Sequence, residues 1–247
     1  MTRFRWEAVV KVGGSVGRRR GRLEPLLRHL ARVARRAPIL LVPGGGRLAD
    51  GVRREMLRHR LSEAGAHAMA LLAMDQFGLA LADLEPAARP VRTLLAARSA
   101  ARAGHLPVLL ASDIVGRARD LERSFRLTSD SIAAWIATRC GARRLFLIKS
   151  VPGLDRELRG AASARKAARA GLVDALFPGF IDPAVETRLL ELRGTLAWDP
   201  RSRAPVPDAA STLRGRRRRR APRGTARDAG GRGTRRVRRS RARLGRR

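Results

Sequence analysis

Ala8-Val9-Val10-Lys11-Val12-Gly13-Gly14-Ser15 is the stretch from which the fold of this chain is read. Its first half is a short apolar run, mostly β-branched, the pattern of a strand buried on both faces. Its second half is a glycine turn. The same unit recurs downstream, where Ile39-Leu40-Leu41-Val42 runs into Pro43-Gly44-Gly45-Gly46 after an amphipathic helix over 21–36. Working outward, the pattern predicts helices over 47–60, 62–84 and 91–103, then a strand over 107–111. A helix capped by Ser129 runs to Cys140 and stops at Gly141, a strand covers 144–148, and a last helix covers 183–193. Short apolar strands alternating with helices predict an α/β fold, a three-layer α/β/α sandwich around an open, mostly parallel sheet, over residues 1–200. Ligands of such sheets bind at the carboxyl ends of strands, where both glycine clusters fall.

The charge balance is unusual. Lys and Arg total 54 against 21 Asp and Glu, a formal +33 over 247 residues. Lys11, Lys149 and Lys166 are the only lysines, and Tyr and Asn are absent. That bias is the mark of a GC-rich gene, so charge alone is weak evidence for nucleic-acid binding. It also gives each retained lysine weight, because a compact ammonium at a chosen place is not replaced by a guanidinium. The single cysteine, Cys140, excludes an internal disulfide framework and fits a reducing cytoplasm. No apolar leader precedes the first strand. The apolar stretch 66–84 carries Asp75 and Gln76 at its centre and reads as a buried helix, not a membrane span.

Composition changes near Pro200. Residues 201–247 hold 19 Arg and 2 Asp, about half the net charge, with five consecutive arginines at 216–220. The segment has no apolar periodicity and is read as a disordered Arg-rich tail. Sequence-independent, salt-sensitive binding to nucleic acid through it is the rival class of function, although it has no aromatic residue for base stacking. Its Arg, Gly, Pro and Ala mixture also resembles out-of-frame reading of GC-rich DNA.

The chemistry is read from three places. Gly13-Gly14-Ser15 follows Lys11 at a strand end, where backbone amides approach phosphate oxygens closely and a lysine neutralises charge on a transferring group. The spacing matches neither the P-loop nor the dinucleotide fingerprint. Gly44-Gly45-Gly46 makes a second such loop, able to hold the other side of a transfer. The third place is Thr128-Ser129-Asp130-Ser131-Ile132-Ala133-Ala134, followed by Leu145-Phe146-Leu147-Ile148-Lys149-Ser150-Val151-Pro152-Gly153-Leu154. Asp130 is read either as a helix-start carboxylate or as part of the site.

In this order and over residues 7–155, these motifs resemble the amino acid kinase superfamily. The resemblance implies an ATP-dependent phosphotransferase that uses Mg2+ with its nucleotide. It implies that Lys11 stabilises the group in flight and that Asp130 orients the catalytic lysines. It further implies that Gly13, Gly14, Ser15 and the turn glycine Gly153 lie on the nucleotide side, and that Gly44, Gly45 and Gly46 border the acceptor. Relatives carry Thr-Asp where this chain has Lys149-Ser150, so Lys149 either supplies a phosphoryl contact from a new position or is an exposed strand-end lysine. The run from His67 to Phe77, with TSDSIAAW at 128–135, resembles one subgroup, the [5-(aminomethyl)furan-3-yl]methyl phosphate kinases of methanofuran and methylofuran synthesis. That subgroup implies a small phosphorylated acceptor converted to a diphosphate, and the wider superfamily leaves isopentenyl phosphate, uridylate or an acylglutamate as the alternative acceptor. His67 and Asp75 then become acceptor-binding candidates. Asp75 meets either an aminomethyl cation or an arginine, and Met74 or Phe77 lines a furan ring. No residue cluster reads as a protein cage for metal, and a homo-oligomer stays open.

Overall fold

The structure, a computed structural model, describes residues 4–18 and 21–192. The chain divides into two units, Met1–Asp208 and Ala209–Arg247, and all the described residues belong to the first. The expectation of a disordered tail over 201–247 lies outside the described residues.

The strands are β1 Ala8–Val12, β2 Ile39–Pro43, β3 Ala88–Val91, β4 Leu106–Leu109, β5 Arg144–Lys149, β6 Asp155–Leu158 and β7 Glu186–Glu191. The helices are α1 Leu23–Ala34, α2 Gly46–His59, α3 Glu63–Asp83, α4 Leu94–Arg102, α5 Ser112–Gly116, α6 Ser129–Cys140 and α7 Gly160–Arg169. The strands form one seven-stranded sheet in the order β3-β4-β2-β1-β5-β7-β6. Every pairing is parallel except that of β6 with β7. This is the expected three-layer α/β/α sandwich.

Side-chain parity in the sheet decides where the chemistry goes. Along β1, Ala8, Val10 and Val12 pack on one face with Leu26, Leu27 and Leu30 of α1. Val9 packs on the other face with Leu40 and Val42 of β2, Leu145 and Leu147 of β5, and the apolar side of α6. Side chains two residues apart share a face, so Lys11 emerges on the α6 side with Val9. Lys149 does so too, two residues beyond Leu147. In the β1–β5 register Lys11 stands opposite Leu147, which leaves the two ammonium groups neighbours on adjacent strands.

The helix starts follow local chemistry. The Thr93 side chain accepts from the Ala96 amide and that of Ser62 from the Gly65 amide, each opening a helix. α6 ends at Gly141, whose φ of 68° suits a left-handed cap. Its start differs by one residue from expectation, since Thr128 is the cap and Ser129 the first helical residue.

Two expectations fail more substantially. Residues 183–193 read as a helix because Val185, Leu189 and Leu192 recur at helical spacing. In the folded chain 186–191 is instead β7, an interior strand held by β5 on one side and β6 on the other. The helix expected from 91 begins only at Leu94, because 88–91 pairs with β4 as an edge strand that tolerates Pro90. In both places sheet partners remote in sequence override local periodicity. The long apolar helix α3 is long and apolar enough to cross a membrane by composition. Here it packs Leu71 and Met74 into one core and Leu81 into the other.

Candidate active site

At the carboxyl ends of β1 and β5 three charged side chains meet. The Lys11 Nζ donates to Asp130 Oδ1 at 2.7 Å, and the Lys149 Nζ donates to Asp130 Oδ2 at 2.5 Å. Lys11 and Asp130 are almost fully buried, at 4% and 5% exposure. One carboxylate shared by two ammonium groups leaves a net positive charge in a poorly solvated place, where it acts strongly on an incoming phosphate.

The titration of these groups follows from that arrangement. Burial works against ionisation of Asp130, but the charges and hydrogen bonds of Lys11 and Lys149 together hold its carboxyl below the usual range. Burial, joined by repulsion from Lys11, lowers Lys149 from 10.5 to about 8, and the attraction of Asp130 only partly opposes this.

The two glycine loops touch. A methyl group on Gly14 would lie 2.0 Å from the Gly46 Cα, and Gly46 has a φ of 57°. Gly14 accepts no side chain without backbone movement, and the left-handed φ of Gly46 disfavours one there, which accounts for glycine at both. The amides of Gly13 and Gly44 donate to Ile148 and Val12 carbonyls, so they tie the loops to the sheet. Gly14, Ser15, Gly45 and Gly46 line a cavity of about 200 Å3 with Arg53 of α2, His67 and Met74 of α3, and Phe125. α2 begins at this cavity with no side-chain cap on Gly45, and an uncapped helix start favours an anion.

His67 lies against the cavity with its Nδ1 3.1 Å from the Ser124 carbonyl oxygen. A carbonyl only accepts, so Nδ1 carries the proton and Nε2 keeps its lone pair. Burial lowers the His67 pKa; the Ser124 bond works the other way, and Arg123 adds to the lowering. The ring is therefore neutral at neutral pH.

Of the residues expected at the acceptor, Gly44, Asp75 and Phe77 do not line this cavity, and Gly13 and the Lys11–Asp130–Lys149 cluster also lie outside its lining. Asp75 is turned to the end of β4, where Ser112 donates to it through its amide and hydroxyl and Arg92 lies 3.6 Å away. Its buried carboxylate is thus satisfied by protein groups, the arginine alternative with a serine added, and not by the cavity. Phe77 likewise packs against Gly17. Gly153 sits in the turn after β5 with a φ of 69°, and its amide donates to Glu191 Oε2 at 2.8 Å. The antiparallel return of β6 beside β7 places that carboxylate there, and it takes the amide that was expected to face phosphate.

Sequence reasoning missed Arg53, Phe125 and Asp174. Arg53 stacks its guanidinium over Phe125, 5.3 Å from the ring centre. Among so many arginines it carried no distinguishing signal. Asp174 accepts hydrogen bonds from Thr128 and Ser131 at the start of α6, contacts more than forty residues distant in the chain.

Residues 7–172 match the model of the amino acid kinase family. The chain belongs to that family. The kinase is 28% identical over 148 residues to the [5-(aminomethyl)furan-3-yl]methyl phosphate kinase of Methanocaldococcus jannaschii, covering 59% of this chain and 67% of that relative. In fold it is similar to uridylate kinase from Archaeoglobus fulgidus, with a TM-score of 0.58 and 15% identity over 77% of this chain and 94% of the other. The UMP kinase of Bacillus anthracis superposes with a TM-score of 0.56 and 14% identity, over 76% and 88% of the two chains. The kinase is an ATP-dependent phosphotransferase, and the Lys11–Asp130–Lys149 cluster stands where its fold presents ligands.

Proposed function

We propose that this kinase transfers the γ-phosphoryl group of ATP onto the phosphate of a small acceptor, making a diphosphate. The observation that carries the reading is the buried Lys11–Asp130–Lys149 cluster beside the interlocked glycine loops. A phosphate acceptor is already anionic and needs no strong general base. Transfer is then direct and in line, and the enzyme contributes positioning and charge neutralisation. Lys11 and Lys149 face the phosphoryl group in flight, and Asp130 holds both ammonium groups at fixed positions. Gly13, Gly14 and Ser15 border the nucleotide phosphates, while Gly44, Gly45 and Gly46 with the start of α2 border the acceptor.

Among the described residues no group of three or more His, Cys, Asp or Glu side chains could hold a metal ion. Asp130 is also fully engaged by lysines. These residues fit magnesium that arrives on the nucleotide, with phosphate oxygens and water as ligands. Bound so, it would neutralise charge on the β- and γ-phosphates.

The acceptor we infer is of the [5-(aminomethyl)furan-3-yl]methyl phosphate type, by likeness to the M. jannaschii relative. The cavity supports a small, partly apolar acceptor with an anionic end. Met74, Leu71 and Phe125 supply apolar wall, Arg53 a cation, and the neutral His67 a hydrogen-bond acceptor at Nε2. An aminomethyl group is a donor that suits this lone pair, and with Asp75 engaged elsewhere His67 is the better candidate for it.

The test is ADP formation by the full chain with MgATP and this furan phosphate, beside isopentenyl phosphate and UMP. Turnover with the furan phosphate alone is expected. Preference for another acceptor would keep the phosphoryl-transfer chemistry and overturn the substrate.

A further inference from the structure

Asp174 lies just past residue 172, where the match to the family ends, in the connection between α7 and β7. Its carboxylate is the most heavily used hydrogen-bond acceptor around the site. Oδ2 accepts from the Thr128 hydroxyl at 2.7 Å and from the Ser131 amide at 3.1 Å. Oδ1 accepts from the Ser131 hydroxyl and from the amides of Leu176 and Phe177 at 3.1 and 3.0 Å. One side chain thus clasps the first turn of α6 and its own loop together. Asp130 sits inside that clasped turn, between Thr128 and Ser131.

Charge makes the position of that turn matter. Lys11 from β1 and Lys149 from β5 face a single carboxylate, that of Asp130 from α6. Two buried cations and one anion leave Lys149 prone to lose its proton. Asp130, held by the clasped turn, is the main group favouring the protonated form of Lys149, and the charge of Asp174 adds a smaller influence in the same direction.

We propose that Asp174 is a positioning residue for phosphoryl transfer: it fixes the α6 turn that presents Asp130 to Lys11 and Lys149. The inference rests on reading Lys149 as part of the transfer site. Asp174 touches no reacting atom in this scheme and works through Asp130 and Lys149.

The experiment uses the small number of lysines. Lys11, Lys149 and Lys166 are the only ones in the chain, so labelling the full chain with 13C-lysine gives three side-chain signals to follow by NMR. Lys149→Arg removes, and so assigns, one of them. In the native sequence the Lys149 signal is expected to titrate near 8. In Asp174→Asn, which cannot accept at both positions, the loosened turn should hold Asp130 less firmly against Lys149 and the midpoint should fall, while Asp174→Glu, which keeps two acceptor oxygens, should stay closer to native. Asp174→Ser carries the same expectation as Asp174→Asn and replaces it if that variant does not fold. An unchanged midpoint in a folded, charge-removed variant would overturn the proposal, even with a lowered melting temperature, because Asp174 would then be a structural clasp alone. The titration needs no acceptor, so a wrong acceptor assignment leaves the result readable.

Discussion

Asp130 holds two ammonium groups at once, and each of the three residues answers differently to removal. Lys11→Ala deletes a buried cation aimed at the transferring group, and turnover with MgATP should fall by roughly 100-fold or more. Near-native turnover in a folded Lys11→Ala sample would take Lys11 out of the mechanism. Lys149 predicts a pH limb. It holds its proton below about 8 and loses it above, so activity should decline as pH rises through 8. Lys149→Arg stays charged through that range and should move the decline to higher pH. A limb that is the same in both would show that another group sets it. The stability signs differ from the activity sign. Lys149 is depressed from 10.5, so between about 8 and 10.5 the unfolded chain binds more protons and this group makes stability rise with pH. Asp130 is also depressed. Its stabilisation is present above the ordinary carboxylate range and is lost as pH falls through its folded pKa. Asp130→Asn should therefore flatten the acid side of a urea-denaturation profile measured against pH.

At the scale of elements, the site is a junction of two strand ends, two loops and one helix start. β1 and β5 supply the lysines because both have the right parity on adjacent strands. The loops after β1 and β2 meet so closely that Gly14→Ala would drive its methyl group into the backbone of Gly46. Backbone cannot rotate away as a flexible side chain does, and the cost should be about 1–3 kcal/mol, as for other overpacking changes. The measurement is the denaturation midpoint together with ADP formation; both should fall. Retention of both would mean that the two loops separate easily and that their contact does not shape the site. The start of α3 was expected at 62, where Ser62 proves to be the cap, whereas Thr93 caps a helix that was expected from 91. β7 was not readable, because its apolar residues fit a helix equally well and only its pairing with β5 and β6 decides between them.

At the scale of the whole molecule, the described residues contain the sheet and the candidate site, and the Arg-rich segment lies beyond them. Removing residues 201–247 is expected to leave phosphoryl transfer unchanged and to abolish any salt-sensitive binding to nucleic acid. Loss of transfer in a folded truncated protein would make that segment part of the enzyme. The sequence by itself determined the layered architecture, since apolar strands ending in glycine loops leave few alternatives. It singled out Lys11 as a candidate, a retained lysine in a contiguous motif against an arginine-rich background, and left Asp130 between a helix-start carboxylate and a site residue. What only the tertiary structure decided is what depends on contact between distant segments. It showed that Lys149 reaches Asp130, because that follows from strand register and not from spacing. It turned Asp75 to Ser112 and Arg92, since a buried carboxylate takes whichever donors the fold presents to it. It also brought Asp174 to the start of α6 across more than forty residues. A carboxylate's short reach makes such a meeting a property of the packed chain, and no local pattern encodes it.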